Sequence, residues 1–173
     1  MLRAIAVPLA LFLGVAMAPA VAATADPLIT DLEHRLADGG PDPVNAHLQA
    51  RWSSAMEPLN RRTANCELSA VSLSIRLGRG SISKASQAHV EALRMANGRC
   101  PRFVLALAMS DEIPKYCASL DAWSPVQTAR ELRRRIAAID TDDLLRTTEP
   151  GKACRAAYLY ELNNTRVVLK KRA

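Results

Sequence analysis

Aromatic residues are scarce in this chain. Phenylalanine, tryptophan and tyrosine together make up 4% of its 173 residues. Proteins that bind single-stranded nucleic acids stack the bases on aromatic side chains, and this composition offers few such platforms. The sequence therefore argues against nucleic acid as a partner.

The usual motifs of metal, cofactor and nucleophile sites are also missing. The cysteines form no C-x-x-C pair, no serine lies in a G-x-S-x-G motif, and Glu33-His34 lacks the second histidine of H-E-x-x-H. Each of the three histidines, His34, His47 and His89, lies in a helical pattern. We expect neither a metal nor a cofactor. The sequence favours a non-enzymatic protein, and an enzyme with an unfamiliar site stays open as an alternative.

Charge is absent from an apolar segment near the N-terminus. Arg3 is followed by an uncharged run at residues 4–23, in which Ala20-Val21-Ala22 matches the A-x-A site of signal peptidase. Two prolines interrupt the run, and no cluster of Lys or Arg follows it as it would follow a transmembrane anchor. Ala23-Thr24-Ala25 gives a second A-x-A site before Asp26. The sequence predicts a cleaved signal peptide at residues 1–22, with cleavage after residue 25 or an uncleaved anchor as alternatives.

The part of the chain that would remain after cleavage is residues 23–173. Its length suits one domain with a core large enough to fold alone. Usage rich in alanine and arginine indicates a bacterial source of high GC content. We therefore expect a single-domain bacterial protein that is periplasmic or secreted, with no transmembrane segment after cleavage.

The chain has an even number of cysteines, at Cys66, Cys100, Cys117 and Cys154. In an exported chain such cysteines form disulfides, so two bridges are expected. A turn at residues 78–80 separates two helical patterns, and a hairpin of these helices would bring together Cys66, just before the first, and Cys100, just after the second. This favours Cys66–Cys100, which leaves Cys117–Cys154. The other two connectivities remain open.

Helical periodicity dominates the sequence. Asp26-Pro27 is typical of a helix start, and Ser124 with Gln127 forms a capping box before another helix. Residues 68–77 are ambiguous, because their apolar positions fit both a helix stripe and a strand alternation. We favour a helix there, since no second strand is evident and a lone strand is not stable. The predicted fold is an all-α, compact bundle of about six to eight short helices, braced by two disulfides.

Two further patterns concern burial. Residues 103–109 are seven apolar residues in a row, which predicts a segment that is buried all round at the centre of the core. The helix after Ser124 is expected to bury five apolar residues on one face, namely Val126, Ala129, Leu132, Ile136 and Ile139.

The same helix carries a cluster of basic residues, Arg130, Arg133, Arg134 and Arg135. Four guanidinium groups within two helical turns could bind phosphate, as in lipopolysaccharide or phospholipid head groups. Glu131 is placed to pair with Arg135, four residues later. The alternative is a solvated helix face. The formal net charge of +6 by itself predicts only solubility and some attraction to anionic surfaces.

Three functional hypotheses follow. The first is an exported interaction protein that binds another envelope or secreted protein, for instance an inhibitor or immunity factor against an envelope-acting protein. The second is a binder of anionic lipid or lipopolysaccharide through the arginine-rich face. The third is an enzyme with an unfamiliar site. The first is favoured because small size, export and disulfide bracing occur here without catalytic motifs.

Overall fold

The computed structural model describes residues 26–172, with side chains up to residue 168. Within these residues the chain forms ten α-helices, eight of them seven residues or longer, and no strand. The helices are α1 Pro27–Gly39, α2 Pro41–Ala50, α3 Glu57–Ala64, α4 Leu68–Leu77, α5 Lys84–Asn97, α6 Pro101–Leu107, α7 Ile113–Tyr116, α8 Pro125–Thr141, α9 Asp143–Thr147 and α10 Glu149–Arg172. The all-α prediction is confirmed. The predicted signal peptide lies outside the described residues.

Both predicted disulfides are present. Cys66 pairs with Cys100, with Cα atoms 6.2 Å apart, and Cys117 pairs with Cys154 at 5.2 Å. The first bridge closes the hairpin of α4 and α5, and the second ties the segment after α7 to α10. No described helix is both long and apolar enough to cross a membrane.

The ambiguous segment at residues 68–77 is helix α4, as favoured. Its strand-like alternation arises because α4 is buried on most of its circumference. Val71, Leu73, Ile75 and Leu77 are all at most 2% exposed. Even Ser74 between them is buried, and its hydroxyl lies 2.7 Å from that of Thr63 in α3.

The apolar run at residues 103–109 is not buried all round, so that expectation is wrong. Val104 and Leu105 are buried, but Phe103, Leu107 and Met109 are 47%, 39% and 48% exposed. The reason is that α6 is short and packs on the core with one side only. Val126, which was expected in the core, is likewise 67% exposed at the first turn of α8.

The helix caps follow the sequence signals closely. The Asp26 carboxylate accepts the backbone N–H groups of Leu28 and Ile29, and Ser124 with Gln127 forms the predicted capping box. The last helix begins at Glu149, so that Pro150 and Gly151 lie in its first turn. There the backbone of Gly151 packs directly against the carbonyl of Leu145 in α9.

Candidate functional site

A groove lies between α7 and α10 in the described part of the chain. Its volume is about 620 Å³, and its lining is mostly apolar. We call it the alanine groove. It is lined by Pro114, Cys117, Ala118, Ala153, Ala156, Ala157, Tyr160, Glu161 and Asn164.

One side of α10 makes the floor of this groove. Four residues of α10 follow one another at steps of three, one and three positions, which places them on the same side of the helix. They are Ala153, Ala156, Ala157 and Tyr160. Because alanine side chains end at Cβ, the helix backbone there lies close to the surface. A partner segment could therefore approach α10 more closely than it could approach a helix covered by long side chains.

A disulfide holds the two walls of the groove together. Cys117 lines the groove from the α7 side, and its partner Cys154 is buried in α10. At the other end Glu161 accepts hydrogen bonds from the backbone N–H of Ser119, at 2.9 Å, and from its hydroxyl. A covalent bond and a carboxylate thus connect the α7–Ser119 segment to α10, so that the groove is formed in advance of any binding.

Tyr160 stands at the edge of the groove. It is 73% exposed, whereas the other two tyrosines of the chain, Tyr116 and Tyr158, are buried at 0% and 1%. Tyrosine combines a large apolar ring with a hydroxyl and loses little conformational entropy when it is fixed. The chain therefore presents its single exposed tyrosine beside the alanine groove.

The structure separates the four predicted arginines. Arg130, Arg133 and Arg134 are exposed on α8. Glu131 lies among them, with its carboxylate 2.8 Å from Arg134 and 3.6 Å from Arg130. The hydrogen bond from Arg134, above all, lowers the pKa of Glu131. The expected pairing of Glu131 with Arg135 is wrong, because Arg135 points into the core.

Arg135 has a structural role in the fold. It is 5% exposed and donates to the carbonyl of Arg94 in α5 at 3.0 Å and to the hydroxyl of Tyr158 at 3.2 Å. Its guanidinium group also lies 5.0 Å from the ring centroid of Trp123. The sequence did contain a signal for this, because position 135 lies three residues after the buried Leu132 and so falls on the buried stripe of α8.

A second cavity, of about 540 Å³ and with several polar side chains in its lining, lies between α2 and the turn before α5. Asp42 lines it and accepts both the backbone N–H and the hydroxyl of Ser81, at 2.6 and 2.7 Å. Both hydrogen bonds lower the pKa of Asp42, and the bond from the Ser81 hydroxyl has the larger effect. Asp42 therefore fixes this turn on α2. Although Asp42-Pro43 repeats the pattern of Asp26-Pro27, Asp42 does not cap α2, because the helix already begins at Pro41.

Groups with strongly shifted pKa values lie elsewhere. Burial lowers the pKa of His89 to about 4 and raises that of Tyr116. Neither residue lines the alanine groove or the cavity beside Asp42. Both shifts are consequences of burial in the core, and they mark no accessible acid or base.

Within residues 26–168, no three His, Cys, Asp or Glu side chains are grouped as a metal site requires.

Comparison with protein-family models, with curated proteins and with solved structures gives no match to this chain.

Proposed function

We propose that this chain is an exported, periplasmic or secreted protein that binds another envelope or secreted protein in the alanine groove, as an inhibitor or immunity factor does. Export is supported by the signal-like segment at residues 1–22 together with two disulfides, which form and persist in oxidising compartments. The pre-formed groove supports binding, because little conformational entropy is lost when a partner meets a rigid surface.

The observation that carries this proposal is the position of Tyr160. Residues that dominate binding energy at protein interfaces are enriched in Tyr, Trp and Arg and are surrounded by apolar contacts that exclude water. Tyr160 offers such a side chain at the rim of an apolar groove of about 620 Å³. Replacing such a residue by alanine typically costs about 2 kcal/mol of binding free energy, which is roughly thirtyfold in Kd.

Photo-crosslinking from the groove tests the proposal. A benzophenone amino acid replaces Tyr160 in the exported chain, and the envelope fraction of the source cells is irradiated. A matched variant carries the same group at Val126, which is 67% exposed on α8 and outside the groove. We expect a discrete adduct with one other protein from position 160 and none from position 126. Equal adducts from both positions, or none from position 160, would contradict the proposal.

A blocking substitution then tests whether the groove itself is the binding surface. Ala156→Arg places a long charged side chain on the exposed floor of the groove, whereas Ala137→Arg makes the same change on the exposed side of α8. With the crosslinked partner in purified form, Ala156→Arg should weaken binding at least about thirtyfold and Ala137→Arg should leave it unchanged. If both variants bind like the parent, the groove is not the site.

Binding of an anionic envelope ligand is the second candidate function. It is supported by the three exposed arginines of α8, which have a single carboxylate among them, from Glu131. Replacing Arg130, Arg133 and Arg134 by glutamine should then abolish binding to vesicles of anionic phospholipid, and salt should weaken the binding of the parent. Salt-insensitive binding, or equal binding by the variant, would remove this candidate.

A further inference from the structure

The exposed side of α6 is a second apolar surface, separate from the alanine groove. Phe103, Ala106 and Leu107 lie at positions i, i+3 and i+4 of α6 and are therefore on one side of the helix. Phe103 and Leu107 are 47% and 39% exposed, and Met109 just beyond the helix is 48% exposed. Contiguous apolar surface of this kind commonly marks a site of protein association. We call these four residues the α6 face.

An apolar hole lies beside this face. Its volume is about 250 Å³, and its lining is almost wholly apolar. Leu105 and Ala106 line it from α6, Leu144 and Leu145 from α9, and Pro150 from α10. Arg102 and Thr148 complete the lining, and Phe103 directly follows Arg102 in α6, so Phe103 lies within one helical turn of the hole. An apolar cavity of about 150 Å³ can hold a benzene molecule, and this hole is therefore large enough for a phenylalanine ring.

The charges around the hole are mutually compensated. Each of three basic side chains in this region has an acidic partner within 3 Å, in the pairs Arg102–Asp142, Arg146–Asp143 and Lys152–Glu149. Copies of a chain with a formal net charge of +6 repel each other in general. The α6 face lies in a region where this repulsion is locally small.

We propose that two copies of this chain pair through their α6 faces, with Phe103 of each copy inserted into the hole of the other. A two-fold interface must be self-complementary, because the same patch occurs on both sides. The region around α6 meets this condition. The α6 face carries Phe103 as a knob, and a hole of suitable size lies within one helical turn of Phe103. If two α6 helices cross in antiparallel directions, both knobs meet both holes at once.

Sedimentation velocity over a series of concentrations tests the pairing with the disulfides intact. The parent chain should sediment as a dimer at high concentration and dissociate on dilution. Phe103→Ser removes the knob from both subunits and should raise the dissociation constant at least about thirtyfold. Ile82→Ser is the matched control, because Ile82 is 90% exposed and lies outside the α6 face; it should dimerise like the parent.

A second variant protects the test against a folding defect. Leu144 is 52% exposed at the other side of the hole, so Leu144→Arg should fold and should block the hole with a charged side chain. Circular dichroism establishes that each variant is folded before sedimentation. A parent chain that stays monomeric at all concentrations, or a dimer that neither Phe103→Ser nor Leu144→Arg weakens, would overturn the proposal.

Crosslinking identifies the occupant of the hole directly. A benzophenone amino acid at position 103 should give an adduct of twice the chain mass, with the crosslink mapped to α9 or to the start of α10. An adduct formed only with a different protein would overturn the self-pairing. The pairing and the alanine groove can fail independently of each other, because the two surfaces share no residue.

Discussion

Mild acidification should destabilise the fold in part through the buried His89. The ring is fully buried, neither of its nitrogens has a hydrogen-bond partner within the described part of the chain, and burial lowers its pKa from 6.5 to about 4. The unfolded chain therefore takes up a proton at higher pH than the folded chain does. The stability contributed by neutral His89 is fully present above pH 6.5 and is lost progressively as the pH falls towards 4.

The expected size of this effect follows from the pKa difference. A shift from 6.5 to about 4 corresponds to about 3 kcal/mol once the pH is below both values. At pH 5 the loss should already be about 2 kcal/mol, which is a substantial part of the 5–15 kcal/mol that stabilise an ordinary domain.

Urea unfolding at pH 7.5 and at pH 5 measures this loss. Carboxylates also titrate between these values, so the quantity to compare is the pH-dependent change in the parent and in His89→Leu, which replaces the ring by an apolar side chain of similar volume. The parent should lose about 2 kcal/mol more than His89→Leu does. The exposed His34 supplies the control, because His34→Leu should behave like the parent. Equal pH dependence in the parent and in His89→Leu would refute the reasoning.

Three further outcomes can be checked by thermal or chemical unfolding. Gly151→Ala would place a Cβ atom directly against the backbone carbonyl of Leu145 and should cost about 3 kcal/mol. Gly39→Ala meets no atom closer than 3.5 Å and should fold with little loss, so similar unfolding midpoints for the two variants would contradict this. Arg135→Ala removes a buried guanidinium group with its hydrogen bonds and should lower the free energy of unfolding by about 2–4 kcal/mol. The exposed Arg134→Ala should lower it by at most about 0.5 kcal/mol. Equal losses would show that the fold does not depend on Arg135. The two disulfides close loops of 34 and 37 residues. From the loop-closure entropy of the unfolded chain, reducing each bridge should lower the free energy of unfolding by about 4 kcal/mol. A urea midpoint that reductant leaves unchanged would contradict this prediction.

The helices and the disulfide pairing could be predicted because their signals are local. Asp26 before Pro27 and the box of Ser124 with Gln127 act within one helical turn, so they depend little on the remainder of the fold. The pairing followed from one turn at residues 78–80, because a short turn between two helices leaves little choice about which ends meet. No long-range information was needed for either inference.

Burial was harder to predict where the local pattern has no preferred side. The run at residues 103–109 is apolar on every side of a helix, so only the position of α6 at the edge of the core decides that Phe103 faces solvent. The prediction that Arg135 is exposed was wrong for a different reason. Its charge suggested exposure, although its spacing from Leu132 places it on the buried side of α8.

The alanine groove was not predicted at all. Alanines at Ala153, Ala156 and Ala157 are ordinary helix formers, and nothing in their spacing distinguishes a groove from a smooth helix surface. The groove exists because the segment after α7 lies alongside α10, and the Cys117–Cys154 bridge that brings it there spans 37 residues. A groove formed by two segments that are far apart in the sequence cannot be predicted from the residue pattern of either segment alone.

The two disulfides also bear on how the protein acquires its native bonds. Both bridges join consecutive cysteines, the first with the second and the third with the fourth. A chain that crosses a membrane N-terminus first therefore exposes each pair in full before the next pair arrives. An oxidase that joins cysteines in their order of emergence makes the native set directly, and the slow reshuffling that interleaved bridges require is avoided. If the chain is exported as proposed, its maturation should accordingly depend on a thiol oxidase and be indifferent to a disulfide isomerase.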